Sequence, residues 1–298
     1  MWDEVLLTAL IAAAAVAIHQ YTDAVCNPTG SSAVETPYDE CSTPLLSNVA
    51  HSLVAFPLAF LVVFRSNQAS SRWWTARGNL GAMAGATQHM TRRLVASTDV
   101  ESLRQDVVRK VNLLFCLMYE ALTDVADFNF AKDFALDNEA DALRSYAKGD
   151  RVQIVSVDLL RTLRNAADEG DIDWIDCNAI DKEAQGMMDN FRSASKIGTT
   201  PIPLPFAQMC QFLLTVWVLS LPFTLVHIFG WYTTIVSAIV ALCFFGINEI
   251  AIQIEKPFGQ DDNDLDMEAF RKSVVNNTSY LLDLHNNEMK FFNASKVE

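Results

Sequence analysis

From Phe206 to Ile247 the chain runs 42 residues without an Asp, Glu, Lys or Arg. One bilayer-crossing helix needs about 20 mostly apolar residues, so this run is long enough for two. Gly230 and Trp231 lie near its middle. Glycine punctuates a helix and tryptophan suits a membrane–water interface, so the pair marks a turn between two spans. Ser42–Phe64 is a second uncharged run, of 23 residues. Val5–Ile18 is apolar except for Thr8, slightly short by itself, and no Asp, Glu, Lys or Arg follows until Asp23. Four spans are expected, which puts both termini on one side.

Charge sets the orientation. The loop between the first two spans, roughly residues 22–44, holds no Lys or Arg, while Arg65, Arg72, Arg77, Arg92 and Arg93 follow the second span. The positive-inside rule places residues 65–200 and the termini on the cytoplasmic side. A signal peptide is the rival reading of residues 1–18, but Asp3 and Glu4 stand where its basic start would be. Hydrophobic residues make up 51% and charged residues 19%, which fits a protein that is part membrane and part water-facing. The expected organisation is all-α. Residues 1–64 carry the first two transmembrane helices, 65–200 a helical cytoplasmic domain, 201–255 the last two spans, and 256–298 a cytoplasmic acidic turn and helix. The segment "VVRKVNLLFCLMYEAL" shows an apolar face at helical spacing. Residues 124–198 hold sixteen acidic and nine basic residues, as a solvated domain would. A net charge of −14 speaks against nucleic acid as a partner.

Little in the sequence suggests catalysis. His19, His51, His89, His227 and His285 are scattered, and neither a P-loop nor a nucleophile–base motif appears. No CxxC occurs among the six cysteines. Cys116, Cys210 and Cys243 lie in apolar runs and read as core or lipid-facing. Cys26 and Cys41 bracket the polar stretch "CNPTGSSAVETPYDEC" on the non-cytoplasmic side, where either a disulfide or two free thiols fits.

Four local features ask for one explanation. Phe56, Phe60 and Phe64 stand four residues apart, a spacing that stacks them along one helix face, with Pro57 among them. That pattern suits a pore wall or a kinked span with aromatic packing. "FRSNQASSRWWTARGNL" follows at once, its arginines readable as topology charge beside an aromatic belt. In "TTPIPLPF" alternate prolines exclude a regular helix and favour an extended entry into the third span. "QIEKPFGQDDNDLDME" sets Asp261, Asp262, Asp264 and Asp266 after a Pro and a Gly. Clustered carboxylates can hold a hard cation, though acidic residues also suit the start of a helix.

Together and in this order, these blocks resemble the bestrophin family of anion channels, in its short algal, plant and bacterial form. "FRSNQASSRWWTARGNLG", "PIPLPF", "LPFTLV" and "EIAIQIEKPFGQDDNDL" are similar to successive family blocks, and the likeness covers nearly the whole chain. The resemblance implies a homopentamer in a lipid bilayer around one axial pore. It implies a hydrophobic neck formed by Phe56, Phe60 and Phe64, and a second constriction at Ile202. Chloride, and bicarbonate with it, is the implied permeant anion, in a thylakoid or plasma membrane. The acidic turn matches the calcium clasp of animal members. Asp261 and Asp264 would give side-chain oxygens, and Gln253 and Lys256 backbone carbonyls. A further family ligand comes from ahead of the first span, and this sequence enters that span almost at Met1. The alternatives are a cation or non-selective channel of the same fold, or a non-conducting membrane scaffold or regulator.

Overall fold

The computed structural model describes residues 2–26, 48–123, 130–259 and 261–294. Among these residues all regular structure is helical. The helices are α1 (Trp2–Cys26), α2 (Asn48–Ser97), α3 (Glu101–Leu122), α4 (Asp137–Arg144), α5 (Lys148–Glu169), α6 (Trp174–Thr199), α7 (Leu204–Phe229), α8 (Thr233–Ile254) and α9 (Met267–Ala294). Two compact units divide the chain. One comprises Met1–Ser71 with Pro201–Glu255, the other Arg72–Thr200 with Lys256–Glu298. The first division therefore falls inside α2, beyond Phe64.

In the first unit α1 packs on α7 and α8, and α7 on α8. Three described stretches are long and apolar enough to cross a membrane: Trp2–Thr22, His51–Ser97 and Leu204–Ile254. The third holds both α7 and α8, joined by a 3-10 turn at Gly230–Tyr232. Gly230 has a φ of 49°, a conformation open to glycine and costly for other residues. Helix α2 continues through Pro57 and α7 through Pro222. The alternating prolines act differently from the expected extended entry. Only the stretch 200–203 is non-helical, and Pro205 lies in the first turn of α7. A first-turn N–H has no intrahelical partner, so proline costs nothing there.

Leu58 and Val62 of α2 are buried against Leu214 and Val218 of α7 and Ala241 and Phe245 of α8. His51 and Trp217 reinforce this seam. Their rings stack 4.6 Å apart, and Trp217 Nε1 donates to the His51 carbonyl at 3.2 Å.

The second unit is built around α3, which contacts α5, α6 and α9. Its core joins Leu80, Met83, Met90 and Leu94 of α2 to Val111, Leu114, Phe115 and Met118 of α3, with Leu159, Ile180, Met187 and Val274 from the helices around them. The apolar face foreseen for α3 is only part of the burial. Lys110, Asn112 and Glu120 are buried as well, each with partners. Lys110 Nζ lies 2.7 Å from Asp158 Oδ2 and donates to Thr162 Oγ1 at 2.6 Å. Asn112 Oδ1 accepts from Thr278 Oγ1 at 3.0 Å, and Glu120 Oε1 accepts from the backbone N–H groups of Phe130 and Ala131. Paired in this way, a polar group can be buried without the penalty of an unmet hydrogen bond.

Candidate functional site: a phenylalanine file and an acidic turn

At 3.6 residues per turn, Phe56, Phe60 and Phe64 fall on the side of α2 roughly opposite Leu58 and Val62. The three rings are 81%, 64% and 41% exposed, in that order along the chain. The Phe60 and Phe64 rings lie 6.3 Å apart at 22°, and Phe64 meets Phe206 of α7 edge to face at 5.8 Å. The exposed side then turns polar, with Asn67, Gln68 and Ser71. The packed face of α2 thus holds the bundle together and leaves Phe56 and Phe60 largely exposed, with Phe64 partly covered by Phe206. Ile202 is half-buried ahead of α7, and its backbone N–H donates to Glu255 Oε1 at 3.0 Å.

Next to Phe64, Arg65 turns inward and is only 6% exposed. Arg65 Nη1 donates to Asn248 Oδ1 at 2.7 Å. Asn248 Nδ2 donates to Gln211 Oε1 at 2.6 Å, and Gln211 Nε2 to Glu4 Oε1 at 3.2 Å. This relay reaches from α2 through α8 and α7 to α1. In the sequence Arg65 reads only as topology charge, because its partner stands 183 residues away.

The arginines farther along also have structural work. Arg72 Nη2 donates to the carbonyls of Ile197 and Thr200 at 2.7 and 2.8 Å, closing the C-terminal end of α6, where a cation is favoured. Arg77 lies over the Phe270 ring, 4.5 Å from its centroid. Trp73 Nε1 donates to the Asn263 carbonyl at 3.0 Å, anchoring the acidic turn.

That turn divides its carboxylates between roles. Asp266 Oδ1 accepts from the Ala269 N–H at 2.9 Å and caps α9. Glu268 forms two hydrogen bonds with Arg271, which hold its carboxyl below the usual range. Asp264 Oδ2 accepts from the Asp261 N–H at 2.7 Å, while Asp264 Oδ1 is buried without a hydrogen-bond partner. Burial pushes the Asp264 carboxyl up, against the Asp261 hydrogen bond. Gly259 leaves room for it, since a Cβ there would stand 2.6 Å from Asp264 Oδ2. An orphaned carboxylate oxygen suits a hard cation. The acidic side chains do not complete a site, however. No group of three His, Cys, Asp or Glu among the described residues is placed to hold a metal. Of the four candidate calcium residues, Gln253 belongs to the first unit and Lys256, Asp261 and Asp264 to the second. The Cys26–Cys41 pairing lies outside the described residues.

The sequence profile of the Bacterial/Fungal Bestrophin protein family matches residues 1–279. The chain belongs to that family. Among its relatives, voltage-dependent anion channel-forming proteins of Nostoc sp. and Synechocystis sp. are each 28% identical to it. The matches span 253 and 252 residues, 83% and 82% of this chain and 80% and 79% of the relatives. A crystal structure of a bacterial bestrophin homolog from Klebsiella pneumoniae superposes with a TM-score of 0.83 at 17% identity, covering 95% of this chain and 98% of that one. The bestrophin fold of an all-α membrane protein is therefore established. The family resemblance read from the sequence blocks holds, and with it the expectation that the chain is not an enzyme.

Proposed function

We propose that this bestrophin is a homopentameric channel of four-span subunits that conducts monovalent anions, chloride first and bicarbonate with it. Phe56, Phe60 and Phe64 form its neck and Ile202 a second constriction. The observation that carries this reading is the exposed phenylalanine file on the side of α2 opposite its packed face, continued by Asn67, Gln68 and Ser71. Five such faces around an axis would give three stacked apolar rings opening onto a polar wall. A narrow apolar ring dewets readily and can close a pore without a plug, and phenylalanine edges carry partial positive charge that suits an anion. The anion-channel names of the Nostoc and Synechocystis relatives support the ion class. Calcium at Asp264 and Asp261, with the Lys256 carbonyl, is the regulatory reading that the orphaned Asp264 oxygen favours.

The test is purified protein in planar bilayers under chloride, bicarbonate and sodium gradients. Reversal near the chloride equilibrium potential is expected. Reversal near the sodium potential would establish the cation-channel alternative, and no current with an intact oligomer would favour a scaffold.

A further inference from the structure

The proposed pore has an electrostatic problem. The net charge is −14, and acidic residues dominate 124–198. A chain so acidic repels anions from its surface at low salt. Something nearer the neck has to favour them.

Arg65 has the required properties. It follows Phe64 directly, at the end of the phenylalanine file, but on the inward side of α2, and is nearly fully buried. Its hydrogen-bond partner is the neutral amide of Asn248. Among the described residues no carboxylate is paired with it, and its Nε–H is buried without an acceptor. Glu4, at the far end of the relay, is separated from it by two neutral amides. Hydrogen bonds pass along that chain, but the positive charge is not cancelled at its source. Burying an arginine without a carboxylate is costly, and an ionisable residue inside a membrane bundle is by default a functional candidate.

We propose that Arg65 determines the anion preference of the pore. Its uncompensated guanidinium, held behind the wall at the end of the phenylalanine file, makes the potential there positive without touching the ion. Low-dielectric surroundings lengthen the reach of a buried charge. Five copies would form a ring of fixed positive charge. Asn248 is what keeps that charge uncancelled: an amide accepts the arginine's hydrogen bond as a carboxylate would, but adds no negative charge. This inference rests on the neck reading above.

The experiment uses the full-length protein in planar bilayers with a chloride gradient. Asn248→Asp keeps an oxygen acceptor for Arg65, changes the shape little and supplies the missing negative charge. Arg65→Gln removes the positive charge, and Arg65→Lys retains it. Asn248→Asp and Arg65→Gln are expected to lower the chloride-to-sodium permeability ratio by about fivefold or more, while Arg65→Lys stays within about twofold of wild type. Because the charge is buried, the difference should persist at about 1 M salt, where surface charges are screened within about 3 Å. A merely structural role would change assembly or open probability and leave the reversal potential in place. Should Arg65→Gln fail to assemble, Asn248→Asp carries the test. A chloride-selective wild type whose Asn248→Asp variant reverses at the same potential overturns this inference alone. A wild type without chloride preference overturns it together with the anion-channel reading.

Discussion

The two units of this bestrophin expose opposite things. The second unit buries a continuous apolar core and exposes most of its charge, pairing Arg93 with Asp176 at its surface and Arg109 with a half-buried Glu139. The first unit exposes Leu10, Leu53, Phe60, Phe212, Ile235 and Ile250. Toward the inside it turns Arg65, Asn248, Thr8, Thr224, Thr233 and Ser237. The difference teaches what solvent each was built for. In water, apolar burial drives packing. In lipid it does not, and helices are held by close packing and hydrogen bonds between them. The same residue type should therefore have different value in the two units.

Phenylalanine offers the largest contrast. Phe115 is buried at the centre of the second unit's core, whereas Phe56 packs against almost nothing in its own chain. Phe115→Ala should cost about 3–5 kcal/mol, read as a lowered unfolding temperature in detergent. Phe56→Ala should change stability by no more than about 0.5 kcal/mol. Equal losses would erase the contrast between a core ring and one free of intrachain packing.

A smaller effect follows from the paired carboxylates of the second unit. Burial alone would raise the Asp106 carboxyl, but hydrogen bonding from Arg109 and the charge of Lys110 outweigh it and hold the group below its usual 3.8. Glu268 is held below 4.5, chiefly by Arg271. Both groups are depressed on folding. Their stabilisation is complete above those ordinary values and is lost as pH falls through the lower folded ones. Acid titration followed by circular dichroism should show the second unit weakening below about pH 4, and Arg109→Met should flatten that slope.

Asp264 has the opposite sign and the smallest expected effect. Its folded value is raised, so the ionised form costs stability once pH exceeds the ordinary 3.8. Asp264→Asn should be as stable as wild type at pH 7, or slightly more so, in calcium-free buffer. If the turn is a calcium clasp, wild type should gain thermal stability on adding calcium and Asp264→Asn should not. A calcium shift that survives in the variant would move the ion elsewhere.

How far the sequence reached depended on the distance over which the structure was decided. The uncharged run 206–247, the Gly230 turn and the phenylalanine spacing are local facts, legible from length and periodicity. Pro205 read as a helix breaker because its pattern does not reveal that it falls in a first turn, where proline is harmless. The burial of Lys110 and Asn112 was not legible, since Asp158 and Thr278 are brought to them only by tertiary packing. Arg65 was misjudged for the same reason. A charge at a membrane boundary usually snorkels to water, and only the partner on α8 shows that this one turns inward.

The central claim is that the exposed side of α2 is a pore wall. Single-channel recording of the Phe56→Ala/Phe60→Ala/Phe64→Ala variant, with the oligomer confirmed by its mass in detergent, tests it most directly. Smaller side chains widen and wet an apolar neck, so the account predicts a larger unitary current or loss of closure. Unchanged conductance and open probability in the triple variant would mean that the phenylalanines face lipid and the ions pass elsewhere.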